Sequence, residues 1–185
     1  MKFNILIPQK YLIYKFTFIL IFVFILNSCS NNFHTYKIIE VPVEVRNRAL
    51  EYAREYIEFG AEYGWGGQDP LPRTIVVDCS GLVIRCYQYA CEEFGYRLLF
   101  NDTTSYGLLN YTIPLSQNTL TPGDLLFMGN GDISHVALFV GNDGTNITFI
   151  DSTYKPEEGI YGVSERYYAK DDPRFISYGR MICRH

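Results

Sequence analysis

The sequence predicts an α+β fold in which helices come first along the chain and β-strands follow. Apolar residues recur at helical spacing between about residues 44 and 95, and they alternate with a period of two in several segments after residue 122. Helices that precede strands, rather than alternate with them, are typical of an α+β domain. The chain has 185 residues, of which 48% are hydrophobic, so we expect one packed domain.

The first 28 residues differ in character from the rest. Three lysines precede an unbroken apolar run from Phe16 to Leu26, and about 11 residues is a usual length for a signal-peptide core but too short to span a bilayer. Leu26-Asn27-Ser28-Cys29 follows and resembles the lipobox of bacterial lipoproteins, in which the cysteine is acylated. We therefore expect a lipoprotein signal peptide over residues 1–28 and lipidation of Cys29. An ordinary export signal, or an uncleaved span counted from Tyr11, is the alternative.

Residues 29–43 are expected to tether the folded domain to a membrane, because they are polar at first and contain Pro42. Ser30 gives a weak indication of sorting to the outer membrane. The expected location is the bacterial cell envelope, on the periplasmic face of the outer membrane in a Gram-negative cell. The folded domain would then comprise residues 44–185.

Two helices are predicted in the first half of this domain. From Glu44 to Phe59 apolar residues fall on one helical face, and Gly60 follows as a stop signal. The second helix begins after Asp78, a good N-cap residue, and its apolar stripe ends at Gly95. Residues 60–77 between them are rich in glycine and proline, which predicts a loop.

Four strands are predicted after the turn at Pro122-Gly123. They cover residues 124–128, 134–141 and 146–151, with a last strand near residues 178–183.

Charge and cysteine spacing exclude several function classes. The formal net charge is −4 and becomes −7 without Lys2, Lys10 and Lys15, which is the wrong sign for binding phosphates, so nucleic acid is not an expected partner. No cysteines or histidines have the spacing of a zinc site, and we expect neither a metal nor a cofactor. Cys86 and Cys91 would point about 140° apart on the second helix and cannot pair, so we expect them to be small buried residues.

Cys79 is the candidate nucleophile. It follows the N-cap of the second helix, where unpaired N–H groups and the helix dipole favour a thiolate over a thiol. Its backbone N–H is also the natural first donor to an oxyanion. The alternative for a helical cysteine is that it only fills space in the core.

His135 is the candidate base. Of the three histidines, His34 lies in the expected tether and His185 is the last residue, which leaves His135 on a predicted core strand. A helix-terminal cysteine that precedes a strand histidine is the chain order of papain-like folds, by analogy. A histidine on a strand is otherwise more often structural.

Asp151 is the candidate that would orient His135. A three-residue hairpin loop over Asn142-Asp143-Gly144 would set Asp151 directly opposite His135, with Cβ atoms roughly 4.5 to 5.5 Å apart. A two-residue loop would instead place Ser152 opposite His135 and turn Asp151 to the other face. In that case Asp151 would be a surface charge at the end of a strand.

Four ordered blocks of residues carry a family resemblance. They are Tyr63-Gly64-Trp65-Gly66-Gly67, Asp78-Cys79-Ser80-Gly81-Leu82-Val83, Pro122-Gly123-Asp124-Leu125-Leu126-Phe127 and Ser134-His135-Val136-Ala137-Leu138-Phe139-Val140-Gly141. In this order they resemble the NlpC family of bacterial cell-wall cysteine endopeptidases, from about residue 45 to the end. The resemblance implies a papain-like α+β fold, with N-terminal helices packed on a C-terminal antiparallel sheet. It also implies cleavage of peptidoglycan stem peptides, often between D-glutamate and the following diamino acid.

The resemblance further implies roles for single residues. The family binds the free amine of the stem peptide with a tyrosine before its Trp-Gly-Gly element and with the residues that flank the nucleophile, which here are Tyr63, Asp78 and Ser80. A packed aromatic, a helix cap and a first-turn serine are the alternatives. The third catalytic position is commonly histidine, asparagine or glutamine, whereas this chain has Asp151. An anionic partner should stabilise an imidazolium more than a neutral one.

The expected function is therefore that of a cysteine peptidase acting on peptidoglycan stem peptides, held at a membrane by an N-terminal lipid. Cys79 would attack the amide and His135 would protonate the departing amine. Two alternatives remain open. One is an amidase or acyltransferase on the same fold, and the other is a non-catalytic envelope lipoprotein that binds wall peptides.

Overall fold

The computed structural model describes residues 36–72 and 74–185. The signal peptide expected over residues 1–28 and the lipidation of Cys29 lie outside the described residues. Within them, no helix is both long enough and apolar enough to cross a membrane.

Two α-helices precede most of the sheet, as the sequence predicts. Helix α1 covers Val43–Glu58 and helix α2 covers Cys79–Glu93. One residue after each C-cap stands a glycine with positive φ, Gly60 at 67° and Gly95 at 78°. A residue with a side chain would be strained in this conformation, which explains why the stop signals read from the sequence were reliable.

In the described residues, seven of nine strands form one sheet. One of the nine strands precedes helix α1, two lie between the helices and six follow helix α2. The nine strands are β1 (Ile38–Glu40), β2 (Glu62–Tyr63), β3 (Val76–Val77), β4 (Thr112–Pro114), β5 (Leu125–Asn130), β6 (Asp132–Asn142), β7 (Asn146–Ser152), β8 (Val163–Ala169) and β9 (Phe175–Arg184). The order in the sheet is β1-β9-β5-β6-β7-β8, with β4 also paired to β9, and all these pairs are antiparallel. β2 and β3 form a separate parallel pair. The α+β prediction is confirmed, and the four predicted strands correspond to β5, β6, β7 and β9.

The core has two parts, and alternation along β5 shows how they are divided. Leu125 and Phe127 belong to the larger cluster, which includes both helices, whereas Leu126 and Met128 belong to a smaller cluster. Successive strand residues point to opposite faces, so the two clusters lie on the two faces of the sheet. This division places helix α2 and its first residue against one face.

Two features of the sheet differ from the prediction. β8 was not predicted, because its inward positions carry Ser164, Arg166 and Tyr168 instead of aliphatic residues, and period-two hydrophobicity is therefore weak. The end of the expected tether is folded: β1 pairs with β9, and Val41 is fully buried. A three-residue strand is too short to show a clear alternation in the sequence.

Three cysteines are buried and free, which confirms the prediction for Cys86 and Cys91 and adds Cys183. Burial raises the pKa of the Cys86 thiol well above its ordinary value. Among the cysteines in the described part of the chain, only Cys79 is partly exposed. Among the described cysteines, Cys79 is therefore the one whose thiol a molecule in solution can reach.

Candidate active site

Cys79 is the first residue of helix α2, and Asp78 caps that helix as predicted. One carboxylate oxygen of Asp78, Oδ1, accepts hydrogen bonds from the Gly81 N–H at 2.7 Å and from the Ser80 hydroxyl at 2.9 Å. The other oxygen, Oδ2, accepts from the Gly66 N–H at 2.9 Å. A single side chain thus fixes both the start of the helix and the glycine-rich loop in front of it.

The same loop touches the helix backbone through two glycines. A Cβ atom added at Gly81 would lie 2.1 Å from the carbonyl oxygen of Gly67, far inside van der Waals contact. That carbonyl accepts a 3.0 Å hydrogen bond from the Asp78 N–H. The absence of a side chain at Gly81 therefore lets the loop lie directly against the first turn that carries Cys79.

His135 on β6 and Asp151 on β7 are in direct contact. The His135 Nε2 atom lies 2.6 Å from Asp151 Oδ2. The Asp151 side chain is completely buried, whereas His135 keeps 21% of its side chain exposed. His135 therefore separates a buried carboxylate from the cleft.

The contact is the one predicted, but the predicted register is wrong. β6 and β7 pair Leu138 with Ile150, and continuing this register places Asp151 opposite Ala137. Asp151 is thus a diagonal neighbour of His135, two residues along the same face, and not its direct partner.

The hairpin itself explains the difference. The side chains of Asn142 and Asp143 accept hydrogen bonds from backbone N–H groups at 144, 145 and 146, which makes the connection longer than predicted. A register shift then follows between Phe139 and Gly141. This bulge restores the alternation, so that Asp151 still points to the face of His135.

Electrostatic coupling keeps this pair ionised. Burial lowers the pKa of His135, but hydrogen bonding and charge interactions with Asp151 and Cys79 outweigh it and raise the pKa of His135 to about 10. Burial likewise raises the pKa of Asp151, but Arg166 and His135 hold it below its ordinary value. At neutral pH the arrangement therefore favours an imidazolium next to Cys79.

Arg166 on β8 contacts the far side of Asp151, and sequence reasoning missed it. Its Nε donates a 2.9 Å hydrogen bond to Asp151 Oδ1, and its Nη2 donates to Oδ2. The guanidinium also lies 5.1 Å from the ring centroid of Phe149 and 5.0 Å from that of Tyr168. Because strand β8 was not predicted, no pattern in the sequence pointed to this arginine.

Tyr63 reaches the site through the short parallel pair of β2 and β3. Tyr63 is paired with Val77, two residues before Cys79. Burial, together with the nearby Cys79 and Asp78, raises the pKa of Tyr63. The predicted tyrosine therefore lies beside the predicted nucleophile.

These residues line a cleft with a volume of about 560 Å³. The predicted residues that line it are Tyr63, Asp78, Cys79, Ser80 and His135. Asp151 is buried behind His135 and does not line it. The structure thus brings the predicted site residues of the described chain together, with Asp151 behind the wall of the cleft. The cleft is large enough for a short peptide.

Further parts of the wall were not predicted. Residues 102–105, in the connection after helix α2, line the cleft, as do Thr153 and Tyr154 after β7. Gln68 donates a hydrogen bond to Asp102 and so links two loops of the wall. Trp65 lies at the rim, where 91% of it is exposed.

Two of the curated proteins that this chain resembles are peptidoglycan endopeptidases. Peptidoglycan endopeptidase RipB of Mycobacterium tuberculosis is 30% identical over 113 residues, which is 55% of this chain and 44% of RipB. Peptidoglycan endopeptidase RipA of Mycolicibacterium smegmatis is 30% identical over 125 residues, which is 57% of this chain and 24% of RipA. The chain therefore spans less than half the length of either relative.

A solved structure and a family model agree with these matches. A protein from Staphylococcus aureus subsp. aureus Mu50, described as similar to a lipoprotein of the NLP/P60 family, superposes with a TM-score of 0.52 at 22% identity. The match covers 77% of this chain and 43% of that one, and shows a shared fold. The NlpC/P60 family model matches residues 60–172, a segment that begins before β2 and ends after β8. Since this match covers more than half of the chain and includes Cys79, His135 and Asp151, the chain belongs to the NlpC/P60 family.

Proposed function

We propose that this domain is a cysteine peptidase that hydrolyses amide bonds in peptidoglycan stem peptides. One observation carries the proposal. A partly exposed Cys79 lies beside His135, and His135 in turn contacts the buried Asp151. A cysteine, a histidine and an orienting carboxylate are the parts that nucleophilic amide cleavage needs. The similarity to two peptidoglycan endopeptidases supports the choice of substrate.

The proposed reaction has two stages. The Cys79 thiolate attacks the amide carbonyl, and the backbone N–H of Cys79 at the helix N-terminus donates to the oxyanion. The imidazolium of His135 gives its proton to the departing amine, which leaves a thioester on Cys79. The neutral His135 then removes a proton from water, and the water attacks the thioester to release the acyl product.

The proposed specificity is for a stem peptide with a free amine, cut between D-glutamate and the diamino acid. Tyr63, Asp78 and Ser80 line the cleft next to the nucleophile. The Asp78 carboxylate accepts three hydrogen bonds from Gly66, Ser80 and Gly81. An ionised carboxylate can accept about four, so Asp78 can receive an ammonium group without losing its role as a cap.

The proposed location follows from the N-terminal sequence. A lipid on Cys29 and the residues between it and β1 would hold the domain at a membrane of the cell envelope, close to the wall. Metabolic labelling with a fatty acid tests this: labelling should be lost in Cys29→Ala and kept in Ser28→Ala. Unchanged labelling in Cys29→Ala would contradict the lipid anchor.

Digestion of purified peptidoglycan tests the proposed reaction. Mass spectrometry should find new D-glutamate C-termini and new diamino acid N-termini with the wild type, and neither with Cys79→Ala or His135→Gln. Thermal unfolding shows whether these variants are folded. Cleavage of a different bond would support an amidase, and transfer of the acyl group to an added amine would support an acyltransferase. If Cys79→Ala digested peptidoglycan as well as the wild type, Cys79 would be ruled out as the nucleophile. Tight binding of wall fragments without any cleavage would support the non-catalytic alternative.

A further inference from the structure

Asp151 is a fully buried carboxylate with two cationic neighbours. Its side chain has no exposed surface, and the side chain of Arg166 is only 12% exposed. An ionised carboxylate removed from water is costly unless a cation and hydrogen bonds compensate for the lost hydration. The question is which of His135 and Arg166 supplies that compensation during a reaction.

His135 cannot compensate for the buried charge of Asp151 during the whole reaction. In the proposed mechanism, on which this inference rests, His135 gives up its proton to the leaving amine and is neutral until water restores it. If His135 were the only cation near Asp151, each proton transfer would leave a buried, uncompensated carboxylate. Arg166 keeps its positive charge when His135 is neutral, because a guanidinium stays protonated at any pH at which the protein is folded.

We propose that Arg166 is a positioning residue that holds Asp151 as a carboxylate aimed at His135 in both protonation states of the imidazole. Arg166 occupies both oxygens of Asp151, and Asp151 Oδ2 is also the atom that contacts His135. The guanidinium fork therefore fixes the plane of the carboxylate as well as its charge. The hydrogen bonds, ion pairs and ring contacts of Arg166 in the described structure are to Asp151, Tyr168, Glu158 and Phe149. None is to Cys79 or to a predicted substrate-binding residue, so Arg166 acts on the site through Asp151.

The surroundings of Arg166 hold the guanidinium in place. It donates to the Tyr168 hydroxyl through Nη1, stacks near Phe149 and Tyr168, and lies 3.8 Å from a Glu158 oxygen. These contacts restrict the side chain on the side away from Asp151. A lysine has no planar fork to make the same set of contacts.

Other charged groups near this chain of contacts have partners of their own. Lys155 donates to the Tyr168 hydroxyl at 2.8 Å and to Glu158 at 3.0 Å. Arg174 stacks 3.5 Å above the Tyr168 ring and is paired with Asp172 at 2.7 Å. Cys79 is the group that faces His135 from helix α2. Among the described residues, Arg166 is thus the arginine or lysine that is paired with Asp151.

The test is the pH dependence of Cys79 alkylation by chloroacetamide, a small neutral probe that needs no peptidoglycan. In Arg166→Met the buried Asp151 loses its permanent cation, and burial then raises its pKa. Asp151 is protonated at a higher pH, the imidazolium loses its partner, and the acid limb of the alkylation profile should move up by about one pH unit or more. A profile that superimposes on the wild type would overturn the proposal.

Two comparisons separate positioning from a structural role. Arg174→Met removes an arginine from the same aromatic ring but not from Asp151, and its profile should match the wild type. In an Asp151→Asn background, Arg166→Met should shift the acid limb no further, because the carboxylate through which it acts is gone. An equal loss of alkylation rate in both backgrounds would mean that Arg166 only supports the fold, and would overturn the proposal.

Thermal unfolding decides the case in which Arg166→Met does not fold. If the double variant with Asp151→Asn folds where the single variant does not, the uncompensated carboxylate is the cause, which supports the proposal. If neither folds, Arg166 is structural and the proposal fails. Because alkylation does not depend on the substrate, the expected shift in a protein that leaves peptidoglycan intact would refute the proposed function and leave this inference standing.

Discussion

The Ser152 hydroxyl donates a buried 2.7 Å hydrogen bond to the carbonyl oxygen of Val77. Ser152 directly follows Asp151, and Val77 directly precedes the cap of helix α2. One hydrogen bond therefore links the end of β7, which carries the carboxylate, to the residue two positions before Cys79. This link contributes to holding Cys79 at its distance from the pair of His135 and Asp151.

Ser152→Ala should lower both stability and reactivity. It removes one of two hydrogen bonds that the Val77 carbonyl accepts, since the Gly64 N–H still donates to it at 3.3 Å. The loss costs about 0.5 to 1.5 kcal/mol, and it loosens the start of helix α2 relative to β7. Urea unfolding measures the first effect and the rate of Cys79 alkylation the second. Ser164→Ala is the matched control, because the buried Ser164 hydroxyl has no hydrogen-bond partner in the described structure. Equal effects of the two changes would contradict the assigned role of Ser152.

Asp151→Asn should lower the pKa of His135 from about 10 toward its ordinary value, because the anionic partner is lost. NMR titration of the imidazole measures this shift, with His135→Gln used to assign the signal. Turnover at neutral pH should fall, because less imidazolium is available and its orientation is lost. Asp132→Asn, at an exposed position on the same strand as His135, should leave the titration unchanged.

The stability of the wild type should fall at alkaline pH. A histidine whose pKa is raised on folding stabilises the protein fully below its ordinary pKa of about 6.5, and this contribution is lost as the pH rises through the folded value, here about 10. Urea unfolding between pH 6 and pH 10 should show this loss in the wild type and much less of it in Asp151→Asn. Parallel curves for the two proteins would contradict the coupling.

Gly81→Ala should be strongly destabilising although alanine favours helices. The new Cβ would lie 2.1 Å from the Gly67 carbonyl oxygen, and forcing backbone atoms apart typically costs about 1 to 3 kcal/mol. The displaced loop should also slow Cys79 alkylation. Gly141→Ala is the control, because a Cβ there meets nothing within 4 Å. Urea midpoints for the two variants should differ clearly, and matching midpoints would refute the close approach.

Asp78→Asn should separate the two roles proposed for Asp78. Asparagine caps helices about as well as aspartate, so the domain should fold with a small loss of stability. The negative charge for a substrate ammonium is lost, and the ratio of kcat/KM for a free stem peptide to that for its N-acetylated form should fall about tenfold. The acetylated peptide is the internal control. A folded variant with an unchanged ratio would exclude Asp78 from amine recognition.

A site residue could be located from the sequence when it lies on a helix or strand with a clear apolar pattern. Cys79 was located by a helix with a clear apolar stripe and a capping aspartate, and His135 by an alternating strand. The predicted register is wrong, but it sets Asp151 on the correct face of the sheet. The longer connection and the bulge in β6 compensate for each other, and neither is visible in a pattern of period two. Arg166 was missed, because the inward positions of β8 are polar and the strand left no hydrophobic signature.

The wall of the cleft was the least predictable part. Residues 102–105 come from an irregular connection without periodicity, and their position depends on tertiary contacts such as that between Gln68 and Asp102. Loops of this kind are positioned by the scaffold and not by their own sequence pattern.

The hydrogen bond between Ser152 and Val77 joins residues that are 75 positions apart in the sequence. This separation along the chain determines when the protein can begin to cleave peptides. A newly synthesised chain has neither an imidazolium beside Cys79 nor a carboxylate behind it until β6 and β7 have closed onto helix α2. In the proposed mechanism, the completion of the fold is therefore the step that activates the enzyme. A chain that has not yet folded would therefore not cleave stem peptides. A chain that unfolds at the wall would lose this activity when it unfolds.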